Sequence, residues 1–390
     1  MNISAQYTIG TYRTISPQET LKGISPHLHK CGITRCTSVT QLDTLGVPTY
    51  CAIRPNASVL QVSNGKGITD TAARVSALME AIELFHAENP IKDKLRLTNA
   101  RELINQGESI INPDHIWGFY QGYYSEKFVI DWTMGENLYS GVNIWVPASA
   151  IYFYLSPCLY NTGTNGLASG NQIEEATLHA LYELIERDAM SRLFVNGKMR
   201  LNGKTRIINT QTIDSPELSS IINKVETDGT KILLLQLNSV ISVHTFWVIF
   251  LSKDSLSSLS MFNVGWGTHT HKEIAVARAL TEAAQSRATL IHGAREDILS
   301  KLAYHNNNVQ DSPAYRFFDA LTPNTFWSDI TTTFNPYEAN DLQKAVKQII
   351  YKLMEQDLGP IIRFDLTHPD KNIPVVKIIA PCLQFNHKLF

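Results

Sequence analysis

Three segments of this chain follow one template, and that repetition constrains the fold more than any other feature. Ala73-Arg74-Val75-Ser76-Ala77-Leu78-Met79-Glu80-Ala81-Ile82-Glu83 aligns with Ala176-Thr177-Leu178-His179-Ala180-Leu181-Tyr182-Glu183-Leu184-Ile185-Glu186, and Ala275 to Gln285 follows the same pattern. The copies lie roughly a hundred residues apart, too far for a solenoid period of 20–50 residues. A glycine-bearing stretch precedes each: Gly65-Lys66-Gly67, Gly166 with Gly170, and Gly265-Trp266-Gly267. In the second copy Asn171 is placed to cap a helix whose first turn carries Glu174 and Glu175, where the helix dipole favours acid. Leu178, Leu181, Tyr182 and Ile185 recur at helical steps and predict a buried face. The alanine positions would let these helices approach one another or a ligand closely.

Glu183 and Glu186 lie three apart and project to one side of their helix, as do Glu80 and Glu83. A single carboxylate pair reads as a solvated face. Three copies of the arrangement favour a shared site instead, and a hydrated magnesium ion held by carboxylates and substrate phosphates would relieve the repulsion.

Length and charge narrow the function. The 390 residues allow two average domains or one large one. Lys plus Arg is 34 and Asp plus Glu is 36, so the formal charge is −2, and no basic run suggests nucleic acid or a membrane surface. Cys31, Cys36, Cys51, Cys158 and Cys382 are scattered and odd in number, which fits reduced thiols rather than a disulfide framework or a zinc pair. Neither a signal peptide nor a membrane span is recognisable, so a cytoplasmic protein is expected.

Taken in order, residues 1–45 predict an irregular lead-in and residues 46–390 one composite domain. Strands are expected at Val47–Arg54 and Ser58–Val62, with Gly65-Lys66-Gly67 as the turn into the first glutamate helix and Thr69 or Asp70 as its cap. A short helix is expected near Ala100–Gln106, and strands at Lys127–Trp132, Val142–Val146, Lys231–Leu237 and Val243–Leu251. Tyr304–Asn308 reads as an exposed loop. A long amphipathic helix over Asn340–Asp357 stops at Gly359-Pro360, and strands follow at Ile361–Leu366 and Val375–Ile379. The mixture predicts an α+β fold with mixed or antiparallel sheets and three pseudo-repeated glutamate helices around a nucleotide site.

Neither a Walker A motif nor a G-x-G-x-x-G turn is present. Phosphoryl transfer depends on positioning and charge neutralisation. Lys66 could neutralise phosphate oxygens, and Arg187 and Arg287 could neutralise the transferred group, although a structural ion pair is an equal reading for either arginine. Glu83-x-x-His86 has the spacing of di-iron carboxylate bundles, but Ala189 and Ala288 stand at the matching places of the other copies.

These motifs carry a resemblance. Ser76-x3-Glu80-x-x-Glu83, Glu175 with Glu183-x-x-Glu186-Arg187, and Glu282-x-x-Gln285-x-Arg287 resemble the YcaO-domain family, which uses ATP to activate peptide backbone amides. The likeness runs from about Gly32 to Leu383. It implies ATP and Mg2+ as cofactors, with Glu80, Glu83, Glu183 and Glu186 as magnesium ligands and Glu183, Glu186 and Arg187 as the catalytic set. Lys66, Ser76, Asn171, Glu175, Glu282, Gln285 and Arg287 would contact the nucleotide. Leu84 follows Glu83 where the family commonly has arginine, and the end of the chain lacks the proline-rich tail of azoline-forming members. Gly32-Ile33-Thr34-Arg35 and Thr281-Glu282-Ala283-Ala284-Gln285-Ser286-Arg287 are similar to the branch associated with TfuA partner proteins. That implies thioamide formation on a peptide or protein, with sulfur brought by a TfuA-like partner, by an enzyme acting as a homodimer. Azoline formation, or a non-catalytic nucleotide-binding scaffold, are the alternatives.

Overall fold

The computed structural model describes residues 6–8, 10–120, 124–195, 198–201, 205–252, 261–298, 312–331, 334–337 and 341–386. The chain runs β1 (Gln6–Thr8), β2 (Thr11–Arg13), α1 (Pro17–Ile24), β3 (Arg35–Ser38), β4 (Thr49–Ile53), β5 (Val62–Lys66) and α2 (Asp70–Glu88). It continues through β6 (Leu95–Thr98), α3 (Ala100–Asn105), β7 (Ile130–Asn137), β8 (Asn143–Pro147), β9 (Leu167–Ser169) and α4 (Ile173–Leu193). Next come β10 (Phe194–Val195), β11 (Lys198–Met199), β12 (Arg206–Ile208), α5 (Pro216–Thr227), β13 (Thr230–Leu237), β14 (His244–Ser252), β15 (Phe262–His269) and α6 (Lys272–His292). The last elements are α7 (Pro313–Asp319), α8 (Leu342–Met354), β16 (Ile362–Asp365) and β17 (Val375–Ile379). Two compact units result: unit 1 holds Ile82–Arg192 and Pro336–Phe390, and unit 2 holds Ala5–Ala81 and Leu193–Asn335. Both are assembled from discontinuous stretches, so no change of composition along the chain marks their boundaries.

In unit 2 the N-terminal residues are more ordered than their turn-forming composition predicts. After the β1–β2 hairpin, Ser16 Oγ accepts from the Glu19 amide at 3.3 Å while Glu19 Oε2 accepts from the Ser16 amide at 2.9 Å. This capping box, with Pro17 in the first turn, starts α1. Strands β3, β4 and β5 form an antiparallel sheet. The strand expected at 58–62 lies instead at Val62–Lys66, so Gly65 and Lys66 belong to the sheet and not to a turn. Thr69 Oγ1 accepts from the Ala72 amide at 3.2 Å and caps α2.

The larger sheet of unit 2 runs β12-β13-β14-β15, antiparallel throughout. Every residue of β14 is buried, the apolar run 246–251 together with His244, Thr245 and Ser252. Helix α6 packs on this sheet. Gly265 and Gly267 lie within β15 and face its alanines: a Cβ on Gly267 would stand 2.8 Å from the Ala279 amide nitrogen, and one on Gly265 would meet the Ala279 carbonyl and the Ala283 amide. Gly65 and Gly67 repeat this against Ala77 and Ala73 of α2, with 2.6 Å to the Ala73 amide nitrogen from a Cβ on Gly67. The small alanines thus let each of these two helices approach a glycine-bearing strand closely. Gly293, at φ 66, ends α6 in a left-handed cap.

Unit 1 holds a sheet of order β6-β7-β16-β17-β9, with β8 also on β7, again antiparallel in its paired strands. Strand β7 begins at Ile130, later than the expected Lys127, and α8 is shorter than the helix read from sequence. Its cap is Asp341, whose side chain accepts from Gln343 and Lys344. Residues 304–308, read as an exposed loop, lie outside the described residues. Among the described residues no helix is long and apolar enough to cross a membrane.

Candidate functional site

Strand β9 and its flanking turns hold three glutamates of unit 1. Gly166, at φ 77, donates its amide to Glu183 Oε2 at 3.2 Å. Glu183 Oε1 faces Arg187 at 3.6 Å across one helical turn. At the other end of β9, the Ser169 amide and hydroxyl donate to Glu83 Oε1 at 2.8 and 2.6 Å. The Asn171 amide donates to Glu175 Oε2 at 2.7 Å, and the Asn171 side-chain amide donates to the same oxygen at 3.0 Å. Asn171 therefore meets the first turn of α4 as a donor to Glu175. Three successive stops along Gly166–Asn171 thus each fix one carboxylate by a backbone N–H. Glu186 is buried at 3% exposure, a setting in which a glutamate is rarely found unless it is paired.

In unit 2 Lys66 Nζ and Glu282 Oε2 form an ion pair at 2.6 Å with about a fifth of each side chain exposed. Burial raises the Glu80 carboxyl, while the charges of Arg295 and Lys66 oppose that rise. Arg295 is itself clamped by Asp297 through bonds of 3.0 and 2.6 Å. Ser76 on α2 and Gln285 on α6 are half-buried. Arg287 lies deeper: its guanidinium pairs with Asp43 at 3.0 Å and Asp228 at 3.3 Å, and donates to Thr230 and Thr44. Of the two arginine readings, the ion pair is the one present for Arg287 here. Asp43, Ser169, Arg295 and Lys377 were not singled out from the sequence. Lys377 alone left a visible signal, a single charge inside the apolar run Val375-Val376-Lys377-Ile378-Ile379.

The competing chemistries find little support. His86 is fully buried, its Nδ1 lies 2.8 Å from the Ile82 carbonyl, and burial pushes it down to about 4. Among the described residues no three His, Cys, Asp or Glu gather into a ready-made metal cage. Burial raises the Cys36 thiol to about 11 and raises Cys51 as well, opposite to an activated nucleophile. The donor set that remains is carboxylate oxygen with nearby Lys and Arg. Such hard donors fit Mg2+, which takes one or two protein carboxylates and completes its shell with phosphates and water. Glu183 and Glu83, each already oriented by an N–H, suit that role.

The fold and this donor set define an α+β protein built from repeated strand–helix elements that carry carboxylate side chains. The chain belongs to the YcaO family: the family model described as YcaO cyclodehydratase, ATP- and Mg2+-binding, matches residues 64–384. An uncharacterized protein of Methanothermobacter thermautotrophicus is 35% identical over 95% of this chain and 95% of its own length. An uncharacterized protein in the tfuA 3′ region of Rhizobium leguminosarum bv. trifolii is 30% identical over 95% of this chain and 88% of its own. Among solved structures, YcaO from Methanopyrus kandleri bound with AMPPCP and Mg2+ matches with a TM-score of 0.77 and 22% identity, covering 97% of this chain and 94% of that one.

Proposed function

We propose that this chain is an ATP-dependent enzyme that activates the oxygen of a peptide backbone amide and replaces it with sulfur. One observation favours the thioamide product over the azoline: the relative in the tfuA 3′ region, alike over nearly the whole chain. In this reading a sulfide equivalent adds to the peptide carbonyl carbon. The resulting oxyanion takes a phosphoryl group from ATP, and phosphate and a proton then leave, so sulfur stays on carbon. ATP supplies the phosphoryl group and Mg2+ supplies charge neutralisation.

The chain's own residues bind and orient. Glu80, Glu83, Glu183 and Glu186 would be magnesium ligands, one or two to each ion, with Glu183 and Glu83 in the directions set by Gly166 and Ser169. Arg187 releases its long contact with Glu183 to meet phosphate charge, and Lys66 exchanges Glu282 for a phosphate oxygen. Ser76, Asn171, Glu175, Glu282 and Gln285 line the nucleotide. A tfuA-encoded partner brings the sulfur.

The test is mass spectrometry of a peptide lacking Cys, Ser and Thr, incubated with enzyme, ATP, Mg2+, sulfide and the partner. Thioamidation replaces oxygen by sulfur and raises the mass. Azoline formation needs a side-chain nucleophile, so loss of water confined to Cys-, Ser- or Thr-containing peptides would make the chain a cyclodehydratase instead.

A further inference from the structure

Lys377 is a lysine where a hydrophobic residue is expected. It sits in β17 between residues that are all buried, opposite Leu167 of β9 and Phe364 of β16. The residue is 5% exposed. An ammonium in that setting costs stability unless it is compensated, and an apolar residue would hold the strand at lower cost. Among the described residues its hydrogen bond goes to the Gly163 carbonyl at 2.6 Å. Burial pushes the ammonium down to about 8, and Glu183 opposes this through space.

Gly163 opens the turn that leads to Gly166. The Leu167 amide donates to Thr164 O at 2.7 Å, and Ile378, the next residue after Lys377, donates its amide to Gly166 O at 2.8 Å. The turn is therefore pinned at one end by a lysine side chain and at the other by the adjacent backbone. The Gly166 amide that this turn presents is the one that fixes Glu183 Oε2.

We propose that Lys377 is a positioning residue for the cation site: it holds the 163–166 turn so that Gly166 orients the Glu183 carboxylate. The inference rests on the reading of Glu183 as a magnesium ligand. In this role Lys377 acts through the 163–166 turn and the Gly166 amide.

The experiment measures Mn2+ affinity by electron paramagnetic resonance in the presence of AMPPCP, which needs neither peptide nor turnover. Lys377→Met is expected to bind Mn2+ about tenfold more weakly, the lower end of what lost outer-sphere support costs, with an unfolding midpoint no lower than wild type. In Glu183→Gln the same change is expected to add nothing, because the carboxylate it orients is gone. A Lys377→Met protein with unchanged or tighter Mn2+ binding, or with equal losses in both backgrounds, overturns the proposal. If Glu183→Gln alone binds Mn2+ as wild type does, the magnesium assignment fails and takes this inference with it. Should the Met variant not fold, Lys377→Gln is read by the same two criteria.

Discussion

Glu183 and Glu186 differ in surroundings although they share a helix. Glu183 keeps a partly exposed carboxylate between an amide and a guanidinium, whereas Glu186 is almost fully enclosed. If both hold Mg2+, neutralising either is expected to cut ATP turnover by more than about 100-fold, since loss of outer-sphere partners alone reaches 10–100-fold. Glu183→Gln and Glu186→Gln should nevertheless fold, because removing one of two like charges relieves repulsion when no metal is bound. Turnover near wild type in both variants would sink the assignment. The buried histidines make a separate prediction. Burial lowers His86 and His244 from 6.5 to about 4. Between those values the unfolded chain binds more protons than the folded one, so stability is full above about 6.5 and falls with pH towards 4. The loss is on the order of 3 kcal/mol at each site. Urea midpoints at pH 7 and pH 4.5 measure it, and His86→Leu should remove part of the slope.

Among the elements, the pairing of strand glycine with helix alanine recurs in unit 2 at β5 with α2 and at β15 with α6. A methyl group at Gly265 would collide with helix backbone, which cannot swing aside as a side chain can. Gly265→Ala is expected to cost about 1–3 kcal/mol. Gly23 offers the contrast: it lies within α1 with nothing near a prospective Cβ. There the same change is expected to stabilise by about 0.5–1 kcal/mol, through helix propensity alone. Chemical denaturation of both variants compares them directly, and similar effects at the two positions would contradict the close-packing account.

For the whole molecule, ligand linkage gives the broadest test. Mg2+ with AMPPCP at a hundred times its dissociation constant should stabilise the native chain by about 2.7 kcal/mol, seen as a rise in unfolding temperature that EDTA removes. No rise with Mg2+ and AMPPCP together would count against a nucleotide site. Much of this protein was decided locally and could be read directly. The helices bearing Glu80, Glu183 and Glu282 appear because apolar residues recur at helical steps, and β13 and β14 because their apolar runs are too continuous to stay in water. The α+β class follows from that mixture, and the motif residues on these helices carry the family. Local pattern also has a limit, since it records that a residue is small, charged or buried without recording what it meets. Ala73, Ala77 and Ala279 were visibly small, but only folding placed them against glycine strands. Arg287 was visibly cationic, but Asp43 and Asp228, distant in sequence, determine its partners. Lys377 gains its meaning from a turn more than two hundred residues earlier. Such pairings depend on which backbones approach closely enough to exclude water, and tertiary structure alone decides that.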